Sequence, residues 1–134
     1  MSLLVKTRLS VSSIPDAGIG CFADQFIPKG TKIWELNTAV DRIYTQQDFD
    51  RLTELEQKFV EIYAYKHHDL YFLCVDNARF FNHSKQNFNT LDPDTEYVTY
   101  AARDIQPGEE ILSNYENFGT NESDKSFNTK GFYI

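Results

Sequence analysis

"ARFFNHSKQNFNT", residues 78–90, places an Asn-His-Ser triplet directly behind two phenylalanines. A buried amide, imidazole or hydroxyl left without a partner costs on the order of 1–3 kcal/mol. The stretch therefore predicts that Asn82, His83 and Ser84 meet partners brought from elsewhere in the chain or by a ligand. A hydrolase pairing of Ser84 with His83 fails on geometry, because neighbours on a strand point to opposite faces. His67, His68 and His83 stand at no recognised ligand spacing, and Cys21 and Cys74 alone cannot build a Cys-rich zinc site. No metal is expected. A hydrogen-bonded structural knot, with Ser84 and Asn89 in it, is the competing reading of the triplet.

Upstream, the residues from Leu3 to Thr7 read as a strand, and "SIPDAGIGCFA" follows with Pro15, Asp16, Gly18 and Gly20, which predicts strand, turn, strand. The Gly18-Ile19-Gly20 run lacks the third glycine and the following helix of a dinucleotide fingerprint, so it reads first as a tight turn. Pro28 and Gly30 make a second turn before a strand over Lys32–Leu36, with Ile33 and Glu35 on one face and Trp34 and Leu36 on the other. Thr45 with Asp48, and Thr53 with Glu56, each resemble a helix start. Leu52, Leu55, Phe59, Ile62 and Tyr63 then recur at helical spacing, predicting a helical insert over about 45–66, broken near Leu52 and Thr53, whose apolar stripe packs on the sheet. Strands follow at "LYFLCV", "VTYAARDI" and the end of "PGEEILSNY", and residues 116–134 form a polar flanking segment that closes on "GFYI".

The chain has 134 residues, 41% of them hydrophobic and 15% aromatic, which suits one mainly β domain over 1–134 with ring-walled clefts. Its formal charge of −7 argues against nucleic acid or an anionic membrane as a direct partner and favours a basic one. Two distant cysteines and the lack of a secretory or membrane-spanning apolar run predict a soluble, cytoplasmic protein, or a nuclear one in a eukaryotic or viral setting, and not a secreted one.

Taken together and in order, "SSIPDAGIGCFA", "DNARFFNHS" and "AARDIQPGEEILSNY" resemble the SET domain of protein-lysine N-methyltransferases, in a compact stand-alone form similar to bacterial and viral members. The resemblance runs from about Val5 to Tyr115. It implies a β-clip fold of several short sheets with a C-terminal pseudoknot, and transfer of a methyl group from S-adenosylmethionine to a lysine side-chain amine, with S-adenosylhomocysteine as product and no metal. It further implies Tyr115 as the catalytic hydroxyl, and Gly18, Ile19, Gly20, Arg79, Phe80, Asn82, His83 and Tyr115 around the cofactor. The partner it implies is a lysine-containing, basic protein segment, with histone and histone-like proteins among the candidates.

This sequence departs from the family's pattern at several positions. Phe88 stands where a proline is usual, with one extra residue before Asn89, and Asn114 replaces the usual Asp before the last tyrosine. Ser113 occupies a position where an aromatic often helps to set how many methyls are added. The zinc-binding Cys cluster that often follows the domain is missing, leaving Phe118, Phe127, Phe132 and Tyr133 as rings to close a lysine channel together with Ser113. Two alternatives stand beside the enzyme reading: a non-catalytic SET module that binds a partner peptide, and a methyltransferase whose acceptor is not protein lysine.

Overall fold

Proline and glycine punctuation cuts the N-terminal third into short strands, as the sequence predicts, although the first begins later than expected. The computed structural model describes residues 3–93 and 97–115. Leu3 makes only an isolated bridge to Trp34, and β1 is Thr7–Val11, paired antiparallel with β2, Ile19–Ala23. Gly18, at φ +77°, turns the chain between them.

The strand β3, Lys32–Glu35, pairs with β9, Val98–Ala101, whose other neighbour is β8, Thr90–Leu91. The expected alternation of β3 does not hold, because a bulge between Lys32 and Trp34 shifts the register and turns both Ile33 and Trp34 inward. A third sheet orders β4, Arg42–Tyr44, β6, Leu70–Leu73, and β5, Tyr65–His67. The strand β7, Asn82–His83, lies parallel to β10, Leu112–Ser113, with Asn82 opposite Leu112 and His83 opposite Ser113.

The helical insert is two helices with the predicted break. α1, Gln46–Asp50, and α2, Glu54–Tyr63, each start on a complete capping box, Thr45 with Asp48 and Thr53 with Glu56. The predicted stripe is corrected in part: Leu55 is 78% exposed, while Val60 packs with Phe49, Ala64 and Leu73. A ten-residue helix packed on β6 buries a narrower face than its apolar count suggests. The main core lies under the other sheets, where Cys21, Ile27, Ile33, Ile105 and Ile111 are fully buried.

Between β6 and β7, "NARF" forms a 3₁₀ turn, Asn77–Phe80, started by Asp76, whose side chain accepts from the amide of Ala78. That turn delivers Phe81 and Asn82 to the inside of the molecule, with His83 half-buried behind them. No helix among the described residues is long and apolar enough to cross a membrane.

Candidate active site

Three distant stretches converge on Glu110. Its carboxylate accepts from the Ser12 and Ser13 hydroxyls, at 2.8 and 2.6 Å, from the Ser13 amide, and from Asn82 Nδ2 at 3.2 Å. Asn82 Nδ2 also donates to the Ile19 carbonyl at 3.0 Å. The β1–β2 turn, the Asn-His segment and the "GEE" segment are thus tied at one buried carboxylate, and four donors compensate its removal from water. Gly20 is required by this knot, since a Cβ there would collide with Glu110 Oε2.

Asn89 performs a second join. Its Nδ2 donates to the Glu110 carbonyl and its Oδ1 accepts from the Leu112 amide, both at 2.8 Å, so the side chain acts as one more rung beside β10. The extra residue before it is absorbed in a turn at 85–87, where the Ser84 hydroxyl accepts from the Asn87 amide at 2.9 Å. Ser84 and Asn89 therefore belong to the structural knot.

Tyr115 ends the described chain inside this frame, 2% exposed. Its hydroxyl donates to the Phe81 carbonyl at 2.5 Å, and its amide donates to His83 Nδ1 at 2.9 Å. His83 therefore presents an unprotonated Nδ1, and its imidazole stands against the Tyr115 ring at 5.0 Å between centroids. Burial, reinforced by the carboxylates of Asp92 and Glu110, pushes the Tyr115 phenol further above its ordinary range. Tyr115 is held as a neutral donor and cannot serve as a base.

Beside this hydroxyl lies a cavity of about 20 Å³, room for one water-sized group, whose lining includes Trp34, Tyr65, Phe81, Asp92, Ser113 and Tyr115. A second cavity of the same size shares the wall of Trp34, Tyr65 and Asp92 and adds His67 and Tyr97. Ser113 is 2% exposed, and its hydroxyl accepts from Thr90 Oγ1 at 3.3 Å. The Asp92 carboxylate accepts from Thr99 Oγ1 at 2.5 Å through Oδ1, whereas its buried Oδ2 has no partner among the described residues, nor has Trp34 Nε1.

The expected site residues divide into three places. Gly18, Ile19, Gly20, Asn82 and His83 gather at the join of β2 and β7, and Ser113 and Tyr115 face the cavity. Among the described residues β7 pairs in a ladder with β10. Arg79 and Phe80 turn toward the helical insert: Arg79 Nε donates to the Cys74 carbonyl with the guanidinium over Phe59 and Tyr63, and the Phe80 ring meets Tyr63 edge-on. Phe118, Phe127, Phe132 and Tyr133 lie outside the described residues. Trp34, Tyr65, Asp92 and Glu110 were not anticipated. For Asp92 the alternation follows from the structure: Thr90 is inward and Leu91 is 47% exposed, so the next side chain, a carboxylate, turns inward.

The SET domain profile matches residues 18–116, and the chain belongs to the SET-domain family. Among solved structures, Ezh2-mutant apo Polycomb Repressive Complex 2 of Chaetomium thermophilum aligns with a TM-score of 0.67 and 22% identity, over 90% of this chain and 16% of the other. The same complex bound to S-adenosylmethionine aligns at 0.63 and 20%, over 87% and 16%. A candidate histone methyltransferase of Plasmodium falciparum aligns at 0.57 and 21%, over 84% of this chain and 95% of the other. The chain thus spans about 16% of the Polycomb chains it matches, and likeness at these identities is likeness of fold. No curated protein matches the chain by sequence.

Proposed function

We propose that this protein transfers a methyl group from S-adenosylmethionine to the side-chain amine of lysine in a basic protein segment, histone or histone-like. The observation that carries the reading is the Tyr115 hydroxyl, buried on the Phe81 carbonyl at the wall of a ring-lined cavity. S-adenosylmethionine supplies a methyl group that carries partial positive charge. The Tyr115 and Phe81 oxygens offer that charge two fixed negative dipoles without moving, the kind of preorganisation that lowers a barrier most. The Gly18–Gly20 turn and the β7 segment would hold the cofactor, with the Asn82 side chain spent on fixing the turn rather than on the ligand. The walls of Trp34, Tyr65 and Phe81 exclude water from the acceptor and align it, which favours the neutral amine over the ammonium. The parallel pair β7–β10 and the Asn89 rung support the threaded knot that the family resemblance implies.

Calorimetric titration with S-adenosylmethionine, followed by mass spectrometry of lysine-rich histone peptides, tests the reading. One-to-one binding and a mass gain on lysine are expected. Tyr115→Phe is expected to keep the fold and lose about 10²–10³-fold in kcat, the scale for removing one preorganised dipole from a transition state. Binding without transfer to any peptide would move the reading to a non-catalytic module.

A further inference from the structure

Asp92 is a buried acid that the cofactor-facing half of the site does not use. Its Oδ1 is engaged by Thr99, its Oδ2 is buried without a partner among the described residues, and Asp92 lines a cavity that Tyr115 and Tyr65 also line. A structural carboxylate in such a place is normally satisfied on both oxygens, as Glu110 is here by four donors. The cavity admits one water-sized group, the size of an ammonium head, and its walls are rings that favour a cation.

We propose that Asp92 is the acid-base partner of the acceptor amine: its free Oδ2 accepts a hydrogen bond from the entering ammonium and then takes that proton. The step is a transfer in which one N–H bond breaks, an O–H bond forms at Oδ2, and the electron pair left on nitrogen becomes the nucleophile. It rests on the amine-methylating reading above and supplies what that reading lacks, since Tyr115 is held protonated. Burial, partly offset by the Thr99 hydrogen bond, lifts the Asp92 carboxyl to about 6, closer to the task of a base than an ordinary carboxylate. Ser113 leaves space beside it where an aromatic ring would intrude.

Trp34 is the single tryptophan of the chain and lines the cavity, so its fluorescence reports occupancy directly. The probe is n-butylammonium, which copies the end of a lysine side chain, titrated into the full chain at pH 8. Wild type is expected to show a saturable change in emission, weakened about tenfold to a hundredfold in Asp92→Asn, the range for losing one charge-assisted hydrogen bond. Equal responses in both proteins, or none in wild type, would overturn the assignment. Because the Asp92→Asn substitution could disturb packing, wild type is also titrated across pH. Its response should fade as pH falls through about 6. Tyr65, Cys74, Tyr97, Tyr115 and His67 also face this region, and His67 is the one histidine among them. The series is therefore repeated in His67→Gln, where it should be unchanged.

Methyl transfer separates the two readings. Asp92→Asn should slow it by about 10²-fold, with recovery as pH approaches the range where the free amine loses its own proton. Transfer indifferent to Asp92→Asn would remove the role of Asp92 and leave the enzyme. Butylammonium binding through Asp92 in a protein that methylates no lysine would leave the amine site and remove the enzyme reading.

Discussion

Replacing Asp92 by asparagine has opposite consequences for stability and for amine binding. An acid lifted from 3.8 to about 6 in the folded state holds its proton more tightly there than in the unfolded chain. The contribution of this one group to stability is therefore greatest below pH 4, falls as pH rises from about 4 to about 6, and stays lower above, by about 3 kcal/mol. Asp92→Asn should raise the melting temperature at pH 8 and lose most of that gain at pH 4, read by thermal melts at both values. A purely structural carboxylate would give the reverse. Tyr115 was legible in the sequence because it closes a motif. Asp92 was not, because only the seating of β8 against β9 turns its side chain in.

Pairing of β7 with β10 is the join on which the site depends, and Asn89 is its most exposed liability. Asn89→Ala would leave the Glu110 carbonyl and the Leu112 amide without their side-chain partner, both buried. A loss of about 2–4 kcal/mol is expected in urea denaturation, larger than for an ordinary surface change. By contrast, Thr53→Ala breaks one exposed capping box and should cost about 1 kcal/mol without effect on the cofactor. Both helix starts were readable because a capping box is complete within four consecutive residues. The faces of β3 were not, because its bulge is imposed by pairing with β9, and Val60 rather than Leu55 is buried because the sheet, not the helix, decides which face is covered.

Across the whole molecule, a formal charge of −7 should draw basic segments to the surface and speed their encounter. Raising ionic strength from about 0.05 to about 0.5 M is expected to lower the association rate of a lysine-rich peptide by tenfold or more, while kcat stays constant. Equal rates at both salts would mean that the charge is not arranged toward the acceptor site. The family was legible in the chain's own text, since the Gly-x-Gly turn, the Asn-His-Ser triplet and the closing tyrosine are short patterns in a fixed order, and capping and turn geometry depend on near neighbours. The acceptor cavity was not, because Trp34, Tyr65, Asp92, Thr99 and Ser113 come from five different strands or their ends, and burial, lone-pair satisfaction and proton affinity arise only when those strands close around them. Local patterns fix which backbone forms; which oxygen is left to meet a substrate is a property of the packed whole.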